Sequence, residues 1–176
     1  MPFVSLVTEE RADAELKQKY EGIRKELGFL PNYYQAIGRK PATVNAQFAM
    51  NEAMMDEGAL PRSLKEQIGL VVSGLNTSSY CVALHMEFLR QYGIEKAVGR
   101  KLAVDYPNAP VGEKEKAIFR FADKLTRRPG DIEESDVEEL RKHGWDEAAV
   151  FETALTVAYF NFVNRVSIGL GLVADF

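Results

Sequence analysis

Residues 63–92, SLKEQIGLVVSGLNTSSYCVALHMEFLRQY, decide the fold and the chemistry that this sequence predicts. The stretch contains the single cysteine of the chain, Cys81, and one of its two histidines, His85. Four positions separate the two residues, and on an α-helix this spacing stacks two side chains on one face. The sequence therefore predicts a helix in which a thiol and an imidazole lie close enough to interact, on a face that is at least half buried.

The residues around this pair indicate a reactive thiol. Ser78 is suited to the N-cap of the helix, which puts Cys81 in the first turn, where unpaired N–H groups and the macrodipole favour a thiolate. We therefore expect the pKa of Cys81 to lie below its ordinary value of about 8.5. Glu66, on the preceding helix, would orient His85 or carry a proton. The Tyr80 hydroxyl would donate to a bound peroxide or lie over the helix start.

Each of these residues also has a purely structural interpretation. Glu66 follows Ser63 by three positions, and Ser-x-x-Glu is the signature of a capping box, so its carboxylate would only cap a helix. A histidine on an apolar face is often a satisfied core residue, and a lone cysteine is often a small buried hydrophobe. The functional hypothesis rests on the coincidence of all four features in one short stretch.

The same residues resemble a known family. Glu66, Asn76, the Ser78-Ser79-Tyr80-Cys81 run and His85 are similar to the active-site segment of the alkylhydroperoxidase D-like proteins, within the carboxymuconolactone decarboxylase superfamily. In that family a glutamate precedes a Cys-x-x-Cys-x-x-x-His segment, and its second cysteine reacts with peroxide. The resemblance assigns that cysteine to Cys81, and it puts Ser78 where the family has its first, disulfide-forming cysteine. The closing FNFVNRVSIGLG resembles the peroxidase-related branch.

Three functions follow from the pattern and the resemblance. The first is a thiol-dependent peroxidase, in which Cys81 attacks a hydroperoxide, His85 and Glu66 transfer protons, and an external thiol recycles the enzyme because Ser78 cannot form the usual disulfide. The second is a lyase like the carboxymuconolactone decarboxylases, with a carboxylate substrate, in which Cys81 takes no part. The third is a catalytically inactive oligomeric binding protein.

Composition narrows the class of protein and of partner. The chain has 176 residues, 46% of them hydrophobic and 27% charged, and a net charge of −4, which argues against nucleic acid as a partner. A single cysteine fits a reducing cytoplasm, and the sequence has no run of about 20 apolar residues that would span a membrane. One cysteine and one nearby histidine are too few ligands for zinc, and no glycine-rich phosphate loop is present, so we expect neither a metal nor an organic cofactor.

The rest of the chain has helical periodicity and no pattern typical of strands. We expect residues 1–176 to form a single all-α domain of about seven helices, arranged as antiparallel pairs with short loops. The last helix is apolar on two sides, which predicts burial at the centre or at a subunit contact, and the family members are dimers or multiples of dimers. Asn161, Asn164 and Arg165 are polar exceptions on this helix; they would line a pocket or satisfy a homo-oligomer interface, and we favour the interface. His143 ends a charged helix as a cation.

Overall fold

A computed structural model describes residues 1–175 of the chain, and this part is all-α. Its helices are α1 (Ala14–Leu27), α2 (Asn32–Ile37), α3 (Pro41–Met55), α4 (Arg62–Leu75), α5 (Ser79–Gln91), α6 (Lys96–Asp105), α7 (Glu113–Arg127), α8 (Glu134–Lys142) and α9 (Glu147–Gly169). The predicted all-α fold is confirmed. The described residues form nine α-helices where about seven were expected, and the two shortest are α2, with six residues, and α8, with nine.

Helix α4 lies at the centre of the molecule. All of its residues from 64 to 73 are buried, and it packs against α5, α6, α7 and α9. Gly74 lies against the Ala103 carbonyl of α6, and Gly69 lies under the Phe160 ring of α9, so neither position has room for a Cβ. The two glycines thus let α6 and α9 pack closely against α4.

A short turn connects α4 to α5 and sets the direction of the helix that carries Cys81. Asn76 ends α4, and Thr77 has a positive φ of 56°, which is uncommon for a residue other than glycine. The Ser78 backbone N–H donates to the Ser73 carbonyl (2.9 Å), closing the turn. Because the turn is this short, the start of α5 stays next to the end of α4.

The two ends of the described chain lie against the C-terminal end of α9 and the start of α2. The Phe3 backbone N–H donates to the Leu170 carbonyl (2.9 Å), and the Asn32 backbone N–H donates to the Asp175 carboxylate (2.6 Å). Residues 1–7 lie before α1 and form neither helix nor strand. No helix among residues 1–175 is both long and apolar enough to cross a membrane.

Candidate active site

Glu66 and His85 form a buried pair between α4 and α5. The Nδ1 atom of His85 lies 2.7 Å from Oε2 of Glu66, and the two residues are 5% and 1% exposed. The second oxygen of Glu66, Oε1, accepts a hydrogen bond from Nε of Arg62, one turn earlier on α4 (3.0 Å). The capping-box interpretation of Glu66 is wrong, because α4 already begins at Arg62 and both carboxylate oxygens bind side chains.

These contacts assign the tautomer of His85. Both oxygens of the Glu66 carboxylate act as acceptors, so Nδ1 of the imidazole donates its proton to Oε2. In the neutral ring the other nitrogen, Nε2, then carries a lone pair and is able to accept a proton. A buried carboxylate that fixes a histidine in this orientation is the arrangement of a general base and its positioning residue.

A small cavity adjoins this pair. Its volume is ≈ 50 Å³, enough for a few water-sized molecules, and His85, Glu66 and Arg62 line it. The His85 ring packs edge-on against Phe160, with 4.7 Å between the ring centroids. The other aromatic residues of the lining are Tyr33, Tyr34, Tyr80, Phe88 and Tyr159. The cavity therefore offers one polar wall, made of the proton-transfer pair, in apolar surroundings.

Cys81 lies in the first turn of α5, as predicted, and is fully buried. Its Sγ is 3.5 Å from Oγ of Ser167 on α9. Burial raises the pKa of the Cys81 thiol above its ordinary value, while the nearby polar side chains of Ser167, Ser78 and Asn164 lower it by less. The expectation of a depressed pKa at Cys81 is therefore wrong in direction, because the desolvation of a fully buried sulfur exceeds the effect of the polar side chains that favour the thiolate.

Cys81 does not line the cavity beside His85, within the part of the chain that the structure describes. Cys81 and His85 are one turn apart on α5, which puts their Cβ atoms about 5–6 Å apart. No hydrogen bond joins their side chains among the contacts of residues 1–175, and the thiol is directed at Ser167 instead. The structure places the thiol one helical turn from the proton-transfer pair, with its sulfur in contact with Ser167 and not with His85.

Ser78 occupies the N-cap position of α5, as the sequence predicted, but its side chain does not cap the helix. The residue is 1% exposed, and among residues 1–175 no partner lies within hydrogen-bonding geometry of its Oγ. The hydroxyl is nevertheless close enough to Cys81 to lower the pKa of the thiol. A buried hydroxyl without a partner is unfavourable, so this one calls for an explanation.

Tyr80 lies over the helix start, in agreement with the second of its two predicted roles. Its hydroxyl accepts a hydrogen bond from the Tyr33 backbone N–H (3.1 Å) and pairs with the Asp175 carboxyl. Burial raises the pKa of the Tyr80 hydroxyl, so the group stays protonated. Because the Tyr80 hydroxyl donates its hydrogen bond to the Asp175 carboxyl, it is a poor donor to a peroxide in this conformation.

The asparagines of α9 belong to an internal network. Nδ2 of Asn76 donates to Oδ1 of Asn161 (3.0 Å) and of Asn164 (3.1 Å), and Asn164 in turn donates to Oγ of Ser73 (3.1 Å). Asn164 is fully buried within the chain, so its assignment to a subunit interface is wrong. Arg165 is exposed and binds the Asn161 side chain and carbonyl. These hydrogen bonds connect the turn between α4 and α5 to helix α9.

Sequence analysis missed two residues of the site. Arg62 is four positions before Glu66, and an i, i+4 pair of opposite charge on one helix is a readable signal. Ser167 gave no such signal, because its contact with Cys81 joins positions 86 apart in the sequence. His143 is remote from the site; it ends α8, as predicted, with Nδ1 donating to the Glu139 carbonyl (2.8 Å).

Comparisons with known proteins identify the family. The profile described as the carboxymuconolactone decarboxylase family matches residues 41–98, which include the whole of α4 and α5. A solved peroxidase-related protein from a Silicibacter species is 30% identical to this chain, with a TM-score of 0.84, over 98% of this chain and 88% of its own. The chain belongs to the alkylhydroperoxidase D-like, peroxidase-related branch of the carboxymuconolactone decarboxylase superfamily.

Two other solved structures are similar to this alkylhydroperoxidase D-like chain. An alkylhydroperoxidase AhpD core described as a peroxidase-related protein from Ralstonia eutropha is 26% identical, with a TM-score of 0.90, over 98% of this chain and 91% of its own. The debrominase Bmp8, solved with 2,3,4-tribromopyrrole, is 22% identical, with a TM-score of 0.82, over 97% of this chain and 90% of its own. At this identity the similarity shows only that the two proteins share a fold. No curated protein sequence matches the chain.

The side chains of this alkylhydroperoxidase D-like protein do not suggest a metal centre. Among residues 1–175, no group of three or more His, Cys, Asp or Glu side chains is arranged to hold a metal ion. The buried polar groups of the site bind one another: Glu66 binds His85 and Arg62, and Cys81 contacts Ser167.

Proposed function

We propose that this protein is a thiol-dependent peroxidase-like oxidoreductase, with Cys81 as the reacting thiol and His85 as the proton-transfer residue held by Glu66. The observation that carries the proposal is the 2.7 Å contact between Nδ1 of His85 and Oε2 of Glu66, both buried, one helical turn from the single cysteine. Membership of the peroxidase-related branch supports the same chemistry.

The raised pKa of Cys81 gives His85 a defined task. A buried thiol that is protonated at neutral pH is a weak nucleophile, so it needs a base at the moment of reaction. Nε2 of His85 accepts the thiol proton, and Glu66 stabilises the imidazolium that forms. Sγ is directed at Ser167, so the Cys81 side chain must first rotate about χ1 to bring the thiol towards His85. This rotation takes the side chain from one staggered rotamer to another.

The reaction with a hydroperoxide balances with these groups alone. The sulfur attacks the distal oxygen, an S–O bond forms, the O–O bond breaks, and the leaving oxygen takes the proton from His85. The products are a sulfenic acid on Cys81 and an alcohol, or water when the substrate is hydrogen peroxide. The ≈ 50 Å³ cavity beside His85 suits a substrate of this size.

Reduction of the sulfenic acid requires a thiol from outside the chain. Ser78 stands where the family has its first cysteine, and a hydroxyl cannot form a disulfide. We propose that an external thiol forms a mixed disulfide with Cys81 and that a second thiol releases it. We also propose that residues 1–176 act as one domain and that the protein functions as a homo-oligomer.

A lyase of the carboxymuconolactone decarboxylase type is the second candidate. One observation favours it: Glu66, His85 and Arg62 line the cavity, whereas Cys81 does not among the described residues. In a lyase the guanidinium of Arg62 would bind the substrate carboxylate and His85 would move the proton. Cys81 would then be a buried core residue.

Hydroperoxide consumption in the presence of a dithiol tests the proposal. We expect Cys81→Ala to reduce turnover to the background rate, and His85→Asn and Glu66→Gln to lower it by at least about tenfold, since a positioned acid–base group contributes roughly 10²–10⁴-fold. Decarboxylation of a γ-lactone carboxylate, measured in parallel, should be absent in every form.

Two matched variants control for general effects of the substitutions. His143→Asn changes the other histidine, at the end of α8, and Glu87→Gln changes an outer carboxylate of α5 that pairs with Arg90. Both should keep full peroxidase turnover. Full activity in Cys81→Ala would overturn the thiol mechanism; lactone decarboxylation that survives in Cys81→Ala but not in His85→Asn would establish the lyase. Absence of both activities in the unchanged protein would point to a binding protein.

A further inference from the structure

A second cavity, on the Ser78 side of Cys81, has no role in the chemistry described so far. We call it the serine hollow; it lies between the start of α5 and the end of α9 and has a volume of ≈ 230 Å³. The residues that define it are Phe3, Ser78, Tyr80, Ser167, Ile168 and Leu172. The hollow is several times larger than the cavity beside His85.

The serine hollow runs from an exposed rim to a buried floor at the thiol. At the rim, Phe3 is 79% exposed and Ile168 is 45% exposed. At the floor, Ser78 and Ser167 are each 1% exposed, and Oγ of Ser167 lies 3.5 Å from Sγ of Cys81. Cys81 itself does not line the hollow among residues 1–175, and Ser167 is the lining residue whose hydroxyl contacts its sulfur.

The Ser78 hydroxyl is the polar group that indicates a ligand. Ser78 lines the hollow, and its Oγ is buried without a hydrogen-bond partner among the described residues. A buried hydroxyl left without a partner is unfavourable, and a hydrogen bond from a ligand in the hollow would remove this penalty. Within residues 1–175 the lining carries no charged side chain, so the complementary ligand is small, polar and uncharged.

We propose that the serine hollow is the docking site of the thiol that reduces Cys81, and that this thiol is small and uncharged. The inference rests on the proposed function. Ser78 and Ser167 hydrogen-bond the sulfenic oxygen while the incoming R–SH attacks the Cys81 sulfur. An S–S bond forms, the S–O bond breaks, and the OH group leaves as water with the proton of the thiol. A second R–SH gives R–S–S–R and restores the Cys81 thiol.

The two cavities thus divide the reaction between two sides of α5. The ≈ 50 Å³ cavity beside His85 suits a hydroperoxide, and the ≈ 230 Å³ hollow suits the larger reductant. Tyr80 lines both cavities and separates them at the helix start. Blocking the hollow should therefore slow reduction and leave peroxide attack unchanged.

Methyl methanethiosulfonate tests access through the hollow without peroxide, because it converts a thiol directly to a mixed methyl disulfide. The extent of Cys81 modification with time, read by mass spectrometry of the intact protein, gives the rate. We expect Ile168→Trp, which fills the rim, to slow modification by at least about tenfold. Val104→Trp, at an 82% exposed position on α6, is the matched control and should react like the unchanged protein.

Leu27→Trp narrows the cavity beside His85 instead, and it should not slow modification. The proposal is overturned if Ile168→Trp reacts at the rate of the Val104→Trp control, or if Leu27→Trp is the variant that slows modification. Thermal unfolding of each variant confirms that it is folded.

Rates of sulfenic acid reduction by 2-mercaptoethanol, measured after a peroxide pulse, should be lower in Ile168→Trp by a similar factor. Equal rates in Ile168→Trp and Val104→Trp would also overturn the docking site. If peroxide yields no sulfenic acid in the unchanged protein, the proposed function fails, whereas the methanethiosulfonate result still decides whether the hollow gives access to Cys81.

Discussion

At Cys81 two effects act on the thiolate in opposite directions. The unpaired N–H groups at the start of α5 and the hydroxyls of Ser78 and Ser167 favour the charged sulfur. Complete burial disfavours it, and burial is the larger effect, so the pKa of the thiol is raised. The nearby base, His85, therefore matters more for this thiol than for an exposed one.

The pH dependence of Cys81 alkylation measures this balance. Because the pKa of the thiol is raised, we expect a midpoint above the ordinary value of about 8.5, and a rate that climbs by about tenfold for each pH unit below that midpoint. The measurement is the rate of Cys81 modification by iodoacetamide between about pH 6 and pH 10, a range that includes the ordinary thiol pKa. A midpoint below 8.5 would mean that the helix start outweighs burial.

Ser78→Cys restores the sulfur that the family pattern contains. Residues 78 and 81 are both buried at the helix start, and a disulfide between them forms if their Cα atoms lie within about 7 Å. We expect mild oxidation to form this bond, protection of Cys81 from over-oxidation, and faster turnover with a dithiol. Mass spectrometry and a peroxidase assay measure these effects.

Ser78→Ala is the control for that variant, because it removes the unpartnered hydroxyl without adding a sulfur. It should not form a disulfide, and it should not speed up turnover. A Ser78→Cys disulfide that forms without any gain in peroxide consumption would count against peroxidase chemistry and in favour of the lyase or binding alternatives.

Among the elements, α4 shows how close packing fixes the site. Its glycines let α6 and α9 approach the helix backbone, and Glu66 on the same helix meets His85 of α5 as a result. Gly74→Ala would place a methyl group against the backbone carbonyl of Ala103, which cannot move as a flexible side chain would. We expect a free energy of unfolding lower by about 1–3 kcal/mol, measured by urea denaturation.

Gly22→Ala is the matched control for Gly74→Ala. Gly22 lies on the exposed side of α1, and a Cβ there would have nothing within 4 Å. Alanine in a helix interior is favoured over glycine by roughly 0.5–1 kcal/mol, so this variant should be slightly more stable than the unchanged protein. Equal stability of the two variants would contradict the account of the α4–α6 contact.

Local signals in the sequence predicted most of the helices, because prolines, glycines and capping residues fix their ends. Asp146 caps α9 by accepting from the Ala149 N–H (2.8 Å), and Gly28, with a φ of 82°, ends α1. Spacing also predicted that Cys81 and His85 lie on one buried helix. It did not predict the direction of each side chain, since Ser167 and Asn164 reach Cys81 from a distant helix. Burial, which decides the thiol pKa, likewise depends on tertiary packing.

At the scale of the whole molecule, the outer face of α9 is the surface that suggests self-association. Phe151 is 63% exposed and Phe162 is 48% exposed, and Leu155 and Ala158 continue the same stripe between them. Their spacing of four, three and four positions keeps these residues on one side of the helix. A stripe of this kind fits a symmetric contact with a second copy of the chain.

Sedimentation tests the homo-oligomer. We expect the unchanged protein to sediment as a dimer or a multiple of dimers at micromolar concentration. The double variant Phe151→Glu/Phe162→Glu should dissociate this assembly, because the added carboxylates would be buried as like charges in the contact between subunits. Val104→Glu, at an exposed position on α6, is the control and should not change the assembly. A 19.7 kDa monomer for the unchanged protein would contradict the prediction.

Trapping of a sulfenic acid tests the central claim most directly. The protein is treated briefly with hydrogen peroxide in the presence of a 1,3-dicarbonyl trap, and the modified residue is located by mass spectrometry. The account predicts an adduct on Cys81 in the unchanged protein and in His143→Asn, and at least about tenfold less in His85→Asn. An unmodified Cys81, under conditions in which free cysteine is labelled, would contradict it.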